Sequence, residues 1–100
     1  MITTSTLSPE QVEKVAYILK TISHPLRIAI VELLTENEEL SVNEICRMLD
    51  SEQSLTSHHL TNMKLKGVLG SQRRGQNIYY YLKLKEVIKV IDCIKNSHPE

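Results

Sequence analysis

The 100-residue sequence contains no tryptophan and no phenylalanine, and its only aromatic residues are four tyrosines. A hydrophobic core must therefore be built from leucine, isoleucine and valine, and the length predicts a single domain, 1–100. A chain of this size buries roughly 60–68% of the surface that its unfolded form exposes, and small proteins of this kind often gain stability by dimerising.

The sequence also has no apolar run long enough to span a membrane, and its polar N-terminus does not resemble a signal peptide. Two cysteines, Cys46 and Cys93, are too few for a disulfide framework, so we expect a cytoplasmic protein with reduced thiols. There is no glycine-rich phosphate loop, no pair of carboxylates at plausible spacing and no cysteine–histidine arrangement with an activating partner. These absences argue against an enzyme.

The net charge is zero, but the charges are segregated along the chain. Residues 32–52 contain seven acidic residues and a single basic one, Arg47. Residues 53–85 contain six basic residues and no acidic one. An acid-free basic third of a neutral protein is typical of a surface that binds phosphate groups. The alternative is a solvated basic face that its acidic neighbour balances.

Capping residues and helical spacing predict three helices in the first half of the chain. Ser8 and Gln11 form the pattern of a capping box at the start of the first helix. The apolar residues that follow at helical spacing are Val12, Val15, Leu19 and Ile22. Pro25 begins a second helix that is largely apolar, and Ser41 with Glu44 predicts the start of a short third helix.

The second half of the chain predicts a fourth helix at about 53–66, a β-hairpin wing at about 68–82 and a last helix at about 83–96. A basic turn at 73–77 is expected to join the two strands of the wing, and a short extended segment is expected at 40–42. The residues expected on the buried stripe of the fourth helix are Leu55, His59, Leu60 and Met63.

This order of elements predicts a mainly α fold with a small β-hairpin, the winged helix-turn-helix. In that fold the third helix crosses the DNA backbone, and the fourth helix, the recognition helix, enters the major groove. Double-stranded DNA is therefore the expected partner.

Residues 20–82 resemble the ArsR/SmtB family of winged-helix repressors. The resemblance rests on four segments, LKTISHPLRIAIVELL, LSVNEICRML, SLTSHHL and GVLGSQRRGQNIYYYL. It implies a homodimeric repressor whose fourth helix binds operator DNA and whose first and last helices form the dimer interface. It also implies release from DNA when a metal ion or another signal binds.

The start of the fourth helix carries side chains that suit DNA. Gln53 can form paired hydrogen bonds with adenine, and the neighbouring hydroxyl groups can bind a base or a phosphate. His58 is expected to face DNA and His59 to pack inward, because adjacent residues on a helix diverge by about 100°, which also argues against a metal site formed by the two. The predicted DNA-contacting residues are Gln53, Ser54, Thr56, Ser57, His58, Lys64, Arg73 and Arg74.

The metal-binding residues of the resembled family are mostly missing, and no cofactor is expected. Where the family has Cys-Val-Cys-Asp-Leu-Cys on the third helix, this chain has SVNEIC, in which Cys46 is the remaining thiol. A second family site on the last helix takes Asp and His from one subunit and His and Glu from the other. The candidate ligands here are Glu86, Glu100 and, displaced by one position, His98.

Cys46 and Cys93 are either a redox pair or small core and interface residues. Family members that respond to thiol oxidation place one cysteine in the second helix, where this chain has Ile30 and Val31. The leading interpretation is a sequence-specific, homodimeric DNA-binding repressor that an unidentified signal releases. The alternative is a winged-helix module that binds proteins and has no DNA sequence specificity.

Overall fold

The computed structural model describes residues 6–96, which form five helices and one three-stranded sheet. In chain order the elements are α1 (Pro9–Thr21), α2 (Pro25–Glu36), β1 (Leu40–Ser41), α3 (Val42–Leu49), α4 (Gln53–Leu65), β2 (Leu69–Arg74), β3 (Asn77–Leu82) and α5 (Glu86–Lys95). This is the winged helix-turn-helix that the sequence predicts. Within the same residues, no helix is both long and apolar enough to cross a membrane.

The predicted helix starts are confirmed by their hydrogen bonds. At α1 the Ser8 hydroxyl accepts from the Gln11 amide, and the Gln11 side chain accepts from the Ser8 amide. Ser41 and Glu44 form the same reciprocal pair at α3. Each pair satisfies two backbone donors that a helix end leaves without partners.

The sheet has one strand more than the hairpin that the sequence predicts. β1 pairs antiparallel with β3, so the strand order is β1-β3-β2, and Leu40 lies opposite Tyr80. The hairpin turn is also tighter than predicted. Arg73 and Arg74 belong to β2, and the turn consists of Gly75 and Gln76, with Gly75 at a φ of 64°. A glycine at the first central position is what such a two-residue turn requires.

The base of the wing is held by close packing. Leu69 lies opposite Leu82, and both side chains are buried. On the next pair, the Tyr81 ring covers Gly70 so closely that a Cβ at Gly70 would overlap the ring. A larger residue at position 70 would therefore displace the tyrosine.

The core surrounds α2, which packs against α3, α4, α5 and β3. Ile30, Val31 and Leu34 are its buried residues, so the largely apolar second helix that the sequence predicts lies at the centre of the core. The largest fully buried side chains of the described chain are Ile18, Ile30, Ile45, Leu60, Met63, Leu69, Leu82, Val31, Val68, Val87 and Thr56. They come from every helix and from both long strands, so one core supports the whole winged helix.

Two predicted apolar stripes need correction. Leu55 is 46% exposed, so it does not belong to the buried stripe of α4. On α1 the buried side chains are Ile18, Thr21 and, at the helix end, Ile22, whereas Val15 and Leu19 are exposed. Because apolar residues cover more than one side of both helices, spacing alone could not decide which side faces the core.

The last helix begins later than predicted, at Glu86 rather than near residue 83. The reason is a backbone contact, since the amides of Lys83 and Leu84 both donate to the carbonyl of Val68. Residues 83 and 84 therefore continue from the sheet and cannot yet turn into a helix.

Two leucines of α4 test the corrected packing. We expect Leu60→Ala to lower the free energy of unfolding by about 2–5 kcal/mol, because it opens a cavity in the core. Leu55→Ala should change it by much less, about 0.5 kcal/mol, because about half of that residue is already exposed to water and its removal opens no cavity in the core. Chemical denaturation measures both values. A large loss of unfolding free energy in Leu55→Ala would show that Leu55 belongs to the core after all.

Candidate nucleic-acid interface

The turn between α3 and α4 sets the angle of the helix-turn-helix. Asp50 ends α3 with a φ of 50°, and the Ser51 amide donates to the carbonyl of Cys46. The Ser51 hydroxyl then meets the hydroxyl of Thr56 at 2.7 Å. Thr56 is fully buried, so its side chain secures the turn and cannot reach DNA. The prediction that Thr56 contacts DNA is therefore corrected.

The other predicted residues of α4 lie on its outer side. Gln53, Ser54, His58 and Lys64 are exposed, and Ser57 is half-buried. The N-cap residue, Glu52, makes no side-chain hydrogen bond to the helix. The amide groups of the first turn are thus left without a side-chain cap, a state in which a helix start readily binds anions.

The inner side of α4 is positioned by Arg27, the arginine of the Ser-His-Pro-x-Arg motif. Its Nε donates to His59 Nδ1 over 2.8 Å, and its Nη1 donates to the carbonyl of Thr21 over 2.9 Å. The ring of His24 lies 4.4 Å from the ring of His59, measured between centroids. His24 also caps α2, because its Nδ1 accepts from the Leu26 amide. The end of α1, the start of α2 and the middle of α4 therefore meet at one point.

His59 is 6% exposed, which confirms that it packs inward. An arginine always donates, so His59 Nδ1 must carry a lone pair, and the proton of the neutral ring lies on Nε2. Nε2 is buried without a partner in the described structure. Burial lowers the pKa of His59, and the charge of Arg27 and the neighbouring His24 and His58 lower it further. His59 is thus a neutral structural histidine.

The two arginines of the wing have different surroundings. Arg74 forms an ion pair with Glu39 and lies over the ring of Tyr79, 4.0 Å from its centroid. The hydrogen bond between Arg74 and Glu39 lowers the pKa of Glu39 and raises the pKa of Arg74. Arg73 has no ion-pair partner within residues 6–96. It lies opposite Ile78, so the two arginines project from opposite faces of the wing.

A cleft of about 230 Å³ lies between α3, the start of α4 and the tip of the wing. No residue that lines it is charged, and four of them carry carboxamides. We call it the carboxamide cleft; its polar lining residues are Asn43, Gln53, Ser57, Gln76 and Asn77.

Three of the candidate effector residues, Cys46, Glu86 and Cys93, lie within the described part of the chain. Glu86 forms an ion pair with Lys14 over 2.8 Å, which lowers the pKa of the Glu86 carboxyl, while His98 and Glu100 lie outside the described residues. Cys46 is a half-buried free thiol on α3, and Cys93 is an exposed free thiol on α5. Cys93 is therefore not a core residue of the single chain. In the described part of the chain, no group of three or more histidine, cysteine, aspartate or glutamate residues could hold a metal ion.

Comparisons with known proteins agree with this geometry. Residues 24–69 match the family described as "Bacterial regulatory protein, arsR family". The chain is 37% identical over 86 residues to the transcriptional regulator YgaV of Escherichia coli, with 86% of this chain and 87% of that protein covered. It is 39% identical over 83 residues to the transcriptional repressor PagR of Bacillus anthracis, with 80% and 83% covered. The chain belongs to the ArsR family.

Solved structures of ArsR-family regulators share the fold. The crystal structure of PagR superposes with a TM-score of 0.75 at 36% identity, covering 87% of this chain and 99% of PagR. HlyU of Vibrio cholerae superposes with a TM-score of 0.77 at 29% identity, covering 87% and 94%. This chain is accordingly a DNA-binding transcriptional regulator of the ArsR family and not an enzyme.

Sequence reasoning missed three features of this ArsR-family chain. They are the contact between Arg27 and His59, the ion pair between Glu39 and Arg74, and the carboxamide cleft. The first two join residues 32 and 35 positions apart in the sequence, so no local spacing could show them. The motif around Arg27 was the available signal, because an arginine at the entry to an apolar helix needs a partner.

The neutral state of His59 predicts how stability depends on pH. Because the folded chain disfavours protonated His59, the unfolded chain binds more protons below about pH 6.5, the usual pKa of histidine. Stability should thus be constant just above that pH and should fall as the pH drops towards the lower pKa of the folded state. Denaturant titrations between pH 7.5 and 5 measure the effect, above the range in which carboxyl groups titrate.

His59→Gln provides the test of this assignment, since glutamine can still accept from Arg27 but does not titrate. The variant should lose most of the decline in stability, whereas His58→Gln, which removes an exposed histidine, should retain it. An equal decline in wild type and His59→Gln would show that another group causes the pH dependence.

Proposed function

We propose that this ArsR-family regulator is a cytoplasmic homodimeric repressor that binds operator DNA and leaves it in response to a signal. The observation that carries the proposal is the exposed start of α4, which has no side-chain cap, beside a wing whose Arg73 has no ion-pair partner in the described part of the chain. The relative PagR supports repression as the direction of regulation, since it is a transcriptional repressor at 39% identity, whereas HlyU of Vibrio cholerae, at 31%, is a transcriptional activator.

The proposed base contacts come from the outer side of α4. Gln53 and Ser54 lie in its first turn, and Ser57 and His58 lie one turn later. The N-terminal residues of a recognition helix are the ones that reach base edges in the major groove. Lys64, in the last turn, would contact phosphate. Buried Thr56 is not part of this proposal.

The distribution of charge favours DNA over a protein partner. Residues 53–85, which include α4 and the wing, contain six basic residues and no acidic one. A surface that binds only proteins has no need to exclude acids from both elements, whereas a phosphate backbone repels any acid placed there.

An apolar groove of about 580 Å³ on the side formed by α1, α2 and α5 supports the homodimer. Leu19 and Ile28 line it and are 49% and 45% exposed, and the pair Lys95–Glu32 lies at its edge. An exposed apolar surface of this kind is typical of a protein interface. Its place on the first and last helices agrees with an isologous contact between two copies.

Leu19→Glu should convert the proposed dimer to a monomer, because it places a charge in the apolar groove. Sedimentation equilibrium measures the mass. Leu65→Glu is the matched control, since Leu65 is 80% exposed on another helix, and it should remain dimeric. The proposal of a dimer through this groove fails if wild type is monomeric or if Leu19→Glu keeps the dimer mass.

The wing arginines should contribute unequally to DNA affinity. Arg73→Ala should weaken binding to every duplex and lower the slope of log affinity against log salt by about 1, since one phosphate contact is lost. Arg74→Ala should change the slope less, because Glu39 already neutralises Arg74 in the free protein. Fluorescence anisotropy with labelled duplexes over a series of salt concentrations measures both slopes.

Glu39→Gln completes this experiment. It frees Arg74 from its ion pair and removes an acid beside the wing, so affinity should rise and the salt slope should become steeper. If neither arginine affects the slope while wild type still binds duplex DNA, the wing does not take part in the proposed interface.

A further inference from the structure

We propose that the carboxamide cleft binds a stretch of the sugar–phosphate backbone of DNA through uncharged hydrogen-bond donors. The inference deepens the proposed function and rests on it. It assigns a role to Asn43 and Gln76, two residues outside the expected set of DNA contacts.

The position of the cleft determines which part of DNA can reach it. Its walls are the start of α3, the start of α4 and the tip of the wing. In the proposed complex, α4 enters the major groove, and we place the wing beside it over the adjoining minor groove, where arginine side chains commonly insert. The strand that separates these two grooves must then pass between helix and wing, where the cleft lies.

The chemistry of the cleft suits a backbone group better than a free ion. None of its lining residues is charged, so it lacks the cations that hold an isolated phosphate. Within residues 6–96, none of its four carboxamides uses its side chain in a hydrogen bond. Gln53 is assigned to the base contacts proposed above, so the donors available to the backbone are those of Asn43, Gln76 and Asn77. Amide side chains are among the common donors to phosphate and sugar oxygens.

Arg73 places a positive charge next to this neutral surface. It shares a face of the wing with Ile78, which lines the cleft. The volume of about 230 Å³ is nearly eight times the share of one water molecule in the liquid, space for a phosphate and part of its sugar. A phosphodiester seated there would be held by neutral groups and attracted by one cation at the edge.

A salt series separates neutral contacts from charged ones. The double variant Asn43→Ala/Gln76→Ala should weaken binding to a selected operator and to a random duplex alike, by about 5- to 150-fold for two neutral hydrogen bonds. Its salt slope should equal that of wild type, because no counterion is exchanged for a neutral group. Arg73→Ala, measured in parallel, should show the lower slope.

Gln72→Ala is the matched control, because Gln72 is an exposed amide of the wing outside the cleft, and it should bind as wild type does. Wild-type affinity in the double variant, with its fold confirmed by circular dichroism, would overturn the inference and leave the proposed function standing. A loss confined to the operator would also overturn it, since that assigns the cleft to bases. Failure of wild type to bind any duplex would overturn both proposals.

Discussion

The guanidinium group of Arg27 connects three helices, and the presentation of the recognition helix depends on it. One nitrogen donates to the last residue of α1, Thr21, and another donates to His59 in the middle of α4. A half-buried guanidinium that lost His59 would keep a desolvated donor without an acceptor, which is costly. The position of α4 against α1 and α2 is therefore defined by a directional contact as well as by apolar packing.

This contact explains why adjacent residues of α4 do different work. His59 is committed to the interior, whereas the residue before it, His58, is exposed on the outer side of the helix. Thr56 and Ser51 anchor the first turn in the same way. A recognition helix that is fixed on one side can present its other side without losing order when DNA binds.

Much of the fold could be predicted because its signals are local. The capping boxes at Ser8 and Ser41 involve residues three positions apart. The change from helical to alternating spacing of the apolar residues predicts the wing. The sequence predicted Leu55 to be buried and Thr56 to be exposed, and both predictions were wrong. Leucine and threonine each occur on the buried and on the exposed side of helices, so residue type did not decide between the two. Their burial is decided by distant partners. Likewise, the strand pairing of Leu40 and the ion pair of Glu39 involve β2 and β3, which are distant in the sequence. The local spacing of residues does not predict such contacts.

The two-residue turn at Gly75 and Gln76 allows the two strands of the wing to be lengthened at its tip. The base of the wing is held by the close contact of Tyr81 with Gly70 and by pairing with β1, so the tip can vary without disturbing the core. Two residues added to each strand would carry Gln76 about 7 Å further out and keep every side chain on its face. A single added residue would exchange the two faces. Wings of this type can therefore evolve, or be redesigned, in steps of two.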